Sequence, residues 1–489
     1  GNAGLHRRAL ANLEWLVVRD FSEIESASFW YDAPEIASGE LQTETIKTEV
    51  FWMPAAAHTE KDGSFTNTQR LLQWHHKAVE PQDEARSDLW FYYHLGKRIK
   101  QKIAWQNEPH PDAIRFLTWE YPERGETREP DAAAVLREIN GWDAQGQALS
   151  GYAELKADGS TTCGCWIYCG CYANEQNQTA RRKPGSAQSW VAPEWAWAWP
   201  ANRRILYNRA SADPQGKPWS ERKRYVWWDE QEGEWAGLDT PDFEKNKRPD
   251  YVPPDGATAE AAIAGAHPFI MQDDGLGWIF VPDGLVDGPL PAHYEPHESP
   301  VQNLLYSQQA NPCRQQFPRT FNESNPSPSE RHGNAFPFVL YTYRLTEHHT
   351  AGGMSRTVPH LSELQPEFFC EVSPALAHLR GLVHGDWAMI FTSRAVIEAR
   401  VMVTDRIKPM RIQGKELHSV GLPYHWGSRG IVTGDSANDL LQITLEPNAH
   451  INETKGLTCD ILPGRRPRGK AVPDFLNGVR ARAGIEGPA

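Results

Sequence analysis

The sequence lacks any long uninterrupted run of apolar residues. A membrane-spanning helix needs about 18 or more consecutive apolar residues. The 489-residue chain has 40% hydrophobic residues and a mean hydropathy of -0.61, and no apolar run in it approaches that length. The sequence therefore gives no indication of a membrane-spanning helix.

An excess of positive charge is also missing. The chain has 50 lysines and arginines against 63 aspartates and glutamates, which gives a formal net charge of -13 and a pI near 5.8. Proteins that bind nucleic acid usually present a basic face to the phosphates. We therefore exclude nucleic acid as an expected partner.

Cysteine is scarce, with seven residues in the chain, and the familiar C-x-x-C pair does not occur. Four of the cysteines lie within the nine-residue segment C-G-C-W-I-Y-C-G-C, from Cys163 to Cys171. Its alternation predicts a strand with all four thiols on one face. We interpret them as packed thiols, with a disulfide or a zinc or iron–sulfur site as the alternatives.

The first 150 residues predict alternating helices and strands, which is typical of a partial doubly wound parallel sheet. The first residues contain neither a start methionine nor a signal peptide, so we expect the chain to begin within this domain and the missing strands to lie upstream. The apolar face of the longest helix is predicted to be Leu89, Tyr92, Tyr93, Leu95 and Ile99. The predicted elements are helices Leu5–Glu14, Phe21–Trp30, Arg86–Trp105, Pro111–Leu117 and Pro130–Ile139, and strands Leu16–Arg19 and Ile46–Trp52.

Residues 151–335 have few periodic segments and many prolines, glycines and tryptophans. The aromatic content favours an ordered, loop-rich insert over a disordered segment. Arg203–Tyr207 and Phe269–Met271 are predicted to anchor it, and the polar stretch Asn322–Asn334 reads as a linker.

Residues 336–489 alternate like a closed six-stranded mixed β-barrel. Two short helices, Ala375–Leu382 and Ala437–Leu441, fit between the strands, and the basic tail that begins R-R-P-R-G-K is predicted to lie on the surface. The candidate strands are Phe338–Arg344, Phe368–Val372, Ala388–Thr392, Ile397–Thr404, Ser419–Tyr424 and Leu457–Leu462.

The segment Y-T-Y-R-L-T-E-H-H-T-A-G-G-M-S-R, from Tyr341 to Arg356, joins the end of the first barrel strand to a loop. The loop combines arginines and histidines with Gly352 and Gly353. Cationic side chains and backbone N–H groups on such a loop suit a pyrophosphate ligand.

Four further segments carry polar or aromatic groups that are candidates for ligand contacts. Asp20 ends V-V-R-D, where its carboxylate could accept two hydrogen bonds from a guanine; the alternative is a cap for the next helix. P-Y-H-W-G (Pro423–Gly427) and L-E-P-N-A-H-I-N-E-T-K (Leu445–Lys455) follow in the barrel region. The segment E-K-D-G-S-F-T-N-T-Q-R, from Glu60, could shape a loop or reach a ligand through Asn67 and Arg70.

The three barrel-region segments, in this order, resemble the C-terminal domain of the molybdopterin oxidoreductases. W-A-W-P-A-N-R-R-I-L-Y-N-R-A-S-A-D-P-Q-G-K-P-W (Trp197–Trp219) and Y-R-L-T-E-H-H resemble the large subunit of the respiratory formate dehydrogenases. The resemblance runs nearly end to end and implies that the chain is the C-terminal half of such a subunit. It also implies that the barrel is of the double-psi type.

The resemblance implies a set of residues that bind a molybdopterin guanine dinucleotide, and no catalytic or metal-ligating residue in this chain. The selenocysteine or cysteine that ligates the metal, and the cysteines of a [4Fe–4S] cluster, are expected in the N-terminal half. The implied cofactor-binding residues are Asp20, Arg344, His348, His349, Ser355, Arg356, Tyr424, His425, Trp426, Asn438 and Lys455.

The resemblance further implies oxidation of formate to CO2 at a bis(molybdopterin guanine dinucleotide) centre with molybdenum or tungsten. Electrons would pass to an iron–sulfur subunit and onward to a membrane cytochrome b subunit, with the protein in the periplasm, peripheral to the inner membrane. The other partner implied is the N-terminal half of the same subunit. The alternatives are another molybdopterin oxidoreductase, such as a nitrate reductase, and a non-catalytic split subunit that binds the cofactor.

Overall fold

The chain divides into two compact units in a computed structural model. One unit contains residues 1–54 and 280–489, and the other contains residues 55–279. The three consecutive domains expected from the sequence, divided near residues 150 and 335, stay a prediction. The structure describes residues 1–66, 71–104, 114, 116–183, 195–199, 208–238, 243–257, 261, 264–266, 296, 298–305, 335–446, 448–452 and 456–485. Among these residues, none of the helices has both the length and the apolar character required to cross a bilayer.

The first unit begins with two parallel strands flanked by short helices. Strands β1 and β2 pair in parallel register, with Trp15 opposite Glu49 and Asp20 opposite Pro54. Both strands confirm the prediction, whereas the larger doubly wound sheet stays a prediction. The elements are α1 (Ala3–Leu10), β1 (Trp15–Asp20), α2 (Glu25–Ser28), α3 (Pro34–Ser38) and β2 (Glu49–Pro54).

The helix predicted over Phe21–Trp30 is wrong except for α2. The carboxylate of Asp20 accepts a hydrogen bond from the N–H of Phe21 at 2.7 Å, a local bond that competes with helix formation. The chain therefore leaves β1 through a bend before α2 begins.

In the part that the structure describes, the second unit is rich in loops and contains short hairpins and the helices α4 (Asp88–Ala104) and α5 (Ala132–Asn140). β3, β4 and β9 form an antiparallel sheet, and the remaining strands pair as hairpins. Helix α5 confirms the prediction over Pro130–Ile139, whereas most of the predicted helix Pro111–Leu117 lies outside the described residues. The elements are β3 (Gly63–Thr66), β4 (Leu71–His75), α4 (Asp88–Ala104), β5 (Glu123–Arg124), β6 (Glu129–Pro130), α5 (Ala132–Asn140), β7 (Trp142–Asp143), β8 (Thr161–Thr162), β9 (Trp197–Ala198), β10 (Val226–Asp229) and β11 (Glu234–Gly237).

Helix α4 matches the expected length, and its predicted inner face is confirmed at Tyr93 but wrong at Tyr92, Leu95 and Ile99. Tyr93 is 2% exposed, whereas Tyr92, Leu95 and Ile99 are 61%, 41% and 42% exposed. The buried face is organised by a polar contact, since the Tyr93 hydroxyl donates to the carboxylate of Glu123 at 2.9 Å. The three exposed side chains form an apolar stripe along the opposite part of the helix.

The cysteine-rich segment is a turn and not the predicted strand. A 3-10 helix spans Trp166–Tyr168, and Gly170 has a φ of +101°, which a strand does not allow. Cys169 and Cys171 are buried, and burial raises the pKa of each thiol to about 12. All six cysteines that the structure describes are free thiols. Cys313, the linker Asn322–Asn334 and the predicted anchors Arg203–Tyr207 and Phe269–Met271 lie outside the described residues.

The C-terminal part of the first unit is a closed six-stranded barrel, as predicted. Its strands run in the order β12-β18-β13-β15-β14-β19, with β12–β18 and β13–β15 parallel and the other pairs antiparallel. A hairpin of β16 and β17 was not predicted, and the double-psi connection stays a prediction. The elements are β12 (Phe338–Tyr343), α6 (Pro359–Leu364), β13 (Phe369–Val372), α7 (Pro374–Arg380), β14 (Trp387–Phe391), β15 (Val396–Val403), β16 (Met410–Ile412), β17 (Lys415–Leu417), β18 (Ser419–Pro423), β19 (Leu457–Pro463) and α8 (Ala471–Arg482).

The barrel interior is apolar because alternate strand residues point inward. Along β12, Phe338 and Leu340 are buried while their neighbours are half-buried, and β18 is buried at every position. The predicted helix Ala375–Leu382 is confirmed as α7, whereas the helix predicted over Ala437–Leu441 is a single 3-10 turn, Ala437–Asp439.

The first residues of the basic tail lie on the surface, as predicted, with the Arg465 and Arg468 side chains 55% and 51% exposed, and its arginines pair with carboxylates of the barrel unit. Arg465 and Arg468 both pair with Glu398, and Arg466 pairs with Asp435 at 2.9 Å. Burial opposes ionisation of Glu398, but these arginines outweigh it and lower the pKa of Glu398 to about 2. The tail is thus tied to β15, and α8 packs behind it on Phe391 and Val396.

Candidate functional site

The two loops that carry most of the predicted site residues leave the barrel side by side. Strands β12 and β18 are parallel neighbours, and their last residues, Tyr343 and Pro423, lie opposite each other. The segments that follow, which we call the 344–356 loop and the 424–430 loop, therefore start at the same edge of the barrel. This register explains why two motifs some 80 residues apart form one site.

His425 joins the two loops from a fully buried position. Its Nε2 accepts a hydrogen bond from the N–H of Leu345 at 2.7 Å, and its Nδ1 lies against the carbonyl oxygen of Thr350. A ring nitrogen that faces a carbonyl must donate, and one that faces an N–H must accept, so these partners select the neutral Nδ1–H tautomer. Burial lowers the pKa of His425, which agrees with a neutral ring.

His348 and Ser355 close the 344–356 loop from inside. His348 Nδ1 lies 3.1 Å from Ser355 Oγ, and His348 Nε2 lies 3.2 Å from the carbonyl oxygen of Gln365. Ser355 Oγ also accepts from the N–H of His349 at 3.0 Å. Both ring nitrogens of His348 thus have protein partners, so the residue organises the loop; its predicted contact with a cofactor stays a prediction.

Gly352 allows the 344–356 loop to touch the 424–430 loop. Its φ is +83°, and a Cβ atom there would lie 2.0 Å from the carbonyl oxygen of His425. Any other residue would meet both a backbone clash and an unfavourable conformation. The adjacent Gly353 has no such constraint, since the nearest atom to its Cβ would be 3.5 Å away on Ile24.

The outer face of the site is formed by a stack of aromatic and cationic side chains. Arg344 is exposed, and its guanidinium lies 5.4 Å from the ring centre of Tyr424, which stacks on His425 with centroids 5.1 Å apart. No carboxylate in the described part of the chain forms an ion pair with Arg344. His349 is exposed next to it. Arg344 and His349 are therefore open to a ligand from solvent.

Arg356 and Trp426 lie behind this face and are almost fully buried. Arg356 Nη2 donates to Glu25 Oε1 at 2.7 Å, and Nη1 donates to the carbonyl oxygen of Arg429. Arg356 Nε and Trp426 Nε1 have no hydrogen-bond partner among the described residues. Both groups are N–H donors, so what they lack is an acceptor.

The remaining predicted residues differ in how the structure places them. Asp20 ends β1, is half-buried, and uses one carboxylate oxygen on the N–H of Phe21. Asn438 lies in the turn Ala437–Asp439, where its N–H donates to Ser436 Oγ at 3.3 Å, and it has no hydrogen bond to the 344–356 or 424–430 loop among the described residues. Lys455 lies outside the described residues, as do Asn67 and Arg70.

Sequence reasoning missed the acidic residues that hold the buried and half-buried arginines. Glu25 pairs with Arg356, and Glu23 pairs with Arg429 at 2.5 Å. Neither glutamate stands in a motif, and each lies about 330 residues or more from its partner. The only signal was indirect: an arginine this deep in an apolar region needs a carboxylate.

Cavities of different size border this region. One of about 200 Å³ is lined by Glu25, Asp32, Gly427, Ser428 and Asp435, among others. Another, of about 280 Å³, is lined by the ion pairs of α1 and the tail and by no residue of the 344–356 or 424–430 loop. A further cavity, of about 370 Å³, is lined by Ser428 of the 424–430 loop together with Trp387, Glu398 and Arg465, among others. Of these three volumes, only the last reaches the roughly 300–1,000 Å³ typical of pockets for drug-sized ligands.

Comparison with known proteins identifies two regions of the chain. Residues 338–458 match the family model for a molydopterin dinucleotide binding domain, and residues 41–98 match the model for a molybdopterin oxidoreductase. The first match covers both loops of the site. The second covers β2, β3, β4 and the first part of α4.

Several formate dehydrogenase subunits resemble almost the whole chain. The formate dehydrogenase-O major subunit of Escherichia coli is 35% identical over 477 residues, covering 92% of this chain and 43% of that protein. The formate dehydrogenase subunit alpha of Megalodesulfovibrio gigas is 36% identical over 479 residues, covering 94% and 44%. The formate dehydrogenase 2 subunit alpha (cytochrome c-553) of Nitratidesulfovibrio vulgaris is 35% identical over 476 residues, covering 94% and 44%.

Among solved structures, acetylene hydratase from Pelobacter acetylenicus matches this chain with 12% identity and a TM-score of 0.40. The match covers 94% of this chain and 41% of the acetylene hydratase chain. The chain thus spans less than half the length of the curated relatives it matches. Two regions of the chain therefore resemble domains of molybdopterin oxidoreductases, and most of the chain is similar to part of the alpha, or major, subunit of formate dehydrogenases.

Proposed function

We propose that the 344–356 and 424–430 loops together hold a molybdopterin guanine dinucleotide. The observation that carries this proposal is the placement of Arg344: it is exposed, unpaired by any described carboxylate, and stacked on Tyr424 at the mouth of two interlocked loops. The region that contains both loops matches the dinucleotide-binding family model. An exposed cation on a rigid loop is suited to a phosphate ligand, since it can bind two oxygens at once.

The residues around Arg344 would take different parts of the ligand. Arg344 and His349 would face the phosphates, and the ring of Tyr424 would pack against a planar heterocycle. Arg356 and Trp426 are almost fully buried and would support the two loops from behind. Asp20, Asn438 and Lys455 remain proposed contacts, with Asp20 assigned to the guanine.

When bound, the cofactor supplies a metal centre for two-electron redox chemistry. The residues of this chain bind the cofactor, orient it and exclude water from its phosphates. Because His425 is neutral and its two bonds lock both loops, it fixes their geometry without adding charge beside the ligand.

We further propose that the whole protein is a formate dehydrogenase that uses a bis(molybdopterin guanine dinucleotide) centre with molybdenum or tungsten. The support is the name shared by the relatives given above, none of which is a nitrate reductase. Electron transfer through a [4Fe–4S] cluster to an iron–sulfur subunit belongs to the same proposal. So do a cytochrome partner, which the name of one relative mentions, and a periplasmic location.

Replacing Arg344 with alanine should weaken cofactor binding by roughly 1.5–3 kcal/mol, because a charge-assisted hydrogen bond to phosphate is lost. The corresponding loss of affinity is roughly 10- to 150-fold. The measurement is the pterin and guanine nucleotide content of the purified protein after dialysis. Arg411→Ala is the matched control, since Arg411 is an exposed arginine of the same barrel on the β16–β17 hairpin. Equal cofactor content in the two variants would refute the assignment of Arg344.

A further inference from the structure

Glu25 connects the segment after Asp20 with both loops of the site. It is the first residue of α2, five positions beyond Asp20. Its Oε1 accepts from Arg356 Nη2 at 2.7 Å and from the N–H of Arg429 at 3.1 Å. Arg356 in turn donates to the carbonyl oxygen of Arg429. One carboxylate and one guanidinium therefore join α2, the 344–356 loop and the 424–430 loop.

The surrounding backbone is shaped for this close approach. A Cβ atom on Gly427 would lie 2.0 Å from Glu25 Oε1 and 3.0 Å from Arg356 Nη2. Gly430 has a φ of +117°, and a Cβ atom there would lie 2.9 Å from the Cβ of Arg356. Only glycine fits at Gly427 without moving the carboxylate, so the 424–430 loop is built around the ion pair.

The ion pair is strongly constrained by burial. The Arg356 side chain is 2% exposed, and its backbone is also bound, since its carbonyl oxygen accepts from the N–H of Ile431 at 2.8 Å. Removing the carboxylate would leave a buried, unpaired cation, which is costly. Burial opposes ionisation of Glu25, but Arg356 outweighs it and holds the pKa of Glu25 below its ordinary value. Glu25 is therefore a carboxylate at neutral pH.

We propose that Glu25 is a positioning residue that sets the spacing between Asp20 and the 344–356 loop. This inference rests on the proposed function, in which Asp20 faces the guanine and the loop faces the phosphates. A ligand that touches both must otherwise fix their relative position itself, at an entropic cost to binding. With Glu25 in place, its ion pair with Arg356 holds the segment after Asp20 against the 344–356 loop before the ligand binds.

A second acidic residue provides a matched control. Glu23 also pairs with Arg429, at 2.5 Å, and its side chain is 35% exposed, close to the 33% of Glu25, but it has no contact with Arg356 among the described residues. It lies two positions from Glu25 and has the same charge. Glu23→Gln therefore removes one negative charge and an ion pair from the same segment without releasing Arg356.

The test compares Glu25→Gln, Glu25→Asp and Glu23→Gln in the complete, cofactor-loaded protein. The readout is the half-life of cofactor loss, followed by released pterin fluorescence and by guanine nucleotide freed on acid hydrolysis, at a fixed interval below each variant's Tm. We expect Glu25→Gln to shorten the half-life at least tenfold, with about twofold or less for Glu23→Gln. Glu25→Asp keeps the carboxylate on a side chain that is one methylene shorter. The half-life of cofactor loss in Glu25→Asp should therefore lie between those of the other two variants.

A further readout separates positioning from simple loss of stability. Amide hydrogen exchange at 350–358 should rise in cofactor-free Glu25→Gln and not in Glu23→Gln. A wild-type half-life in Glu25→Gln, or equal losses in both variants, overturns the positioning role and leaves the proposed function standing. A wild-type protein that contains neither pterin nor guanine nucleotide overturns both.

Discussion

Replacing Gly352 with alanine should disrupt the contact between the 344–356 loop and the 424–430 loop. The added Cβ would lie 2.0 Å from the carbonyl oxygen of His425, and the residue has a φ of +83°. Backbone strain of this kind costs roughly 1–3 kcal/mol, and relief requires the 344–356 loop to move away from His425. We expect cofactor retention to fall by at least tenfold, measured as pterin and guanine nucleotide per chain.

The neighbouring glycine provides the control. Gly353→Ala adds the same atom one residue away, where the nearest contact would be an ordinary 3.5 Å to Ile24. We expect the Gly353→Ala protein to keep its cofactor. Equal retention in the two variants would show that the contact between Gly352 and His425 does not shape the site.

The second large effect is expected from Glu298→Ala. Glu298 pairs with Arg394 at 2.6 Å, and their side chains are 3% and 1% exposed. The same carboxylate accepts from the N–H and hydroxyl of Thr458, at 3.1 and 2.9 Å. Breaking a buried pair leaves an uncompensated charge, which costs roughly 3–5 kcal/mol. The measurement is the free energy of unfolding by urea, with the barrel tryptophans as probes.

The matched control for Glu298 is a surface pair on the same barrel. Glu367 contacts Arg400 at 3.4 Å, and their side chains are 57% and 34% exposed. Exposed pairs contribute roughly 0–1 kcal/mol, so Glu367→Ala should be close to neutral. A loss below about 1 kcal/mol for Glu298→Ala would contradict the view that Glu298 ties its segment to β19.

The barrel could be predicted from the sequence because its strands follow a simple rule. A strand with one face inside a closed barrel alternates in polarity, as in β12, where Phe338 and Leu340 are buried. All six strands were found in this way. The β16–β17 hairpin was missed because its three-residue strands are too short to show a period.

Predictions from the spacing of apolar residues were wrong in two segments, helix α4 and the cysteine-rich segment. The stripe Tyr92, Leu95 and Ile99 has helical spacing, but polar contacts at Tyr93 decide which face of α4 is buried. The cysteine-rich segment has the spacing of a strand, but Gly170 with its positive φ turns the chain. In both cases a single residue outweighs the pattern.

The candidate site was predicted in part. Arg344 and Tyr424 were predicted as site residues because they stand in motifs whose residue types are suited to binding a phosphate or a planar heterocycle. The ion pair of Glu25 and Arg356 joins residues 331 positions apart, and no local pattern encodes such a contact. Side chains that hold a site together are chosen by the tertiary fold, so they become visible only with the structure.

The most direct test of the central claim is an experimental structure of the cofactor-loaded protein. We expect density for a pterin dinucleotide on the face formed by Arg344 and Tyr424, with a phosphate oxygen at roughly 2.7–2.9 Å from the guanidinium of Arg344. Density for the dinucleotide elsewhere, with the 344–356 and 424–430 loops facing only water, would contradict the account.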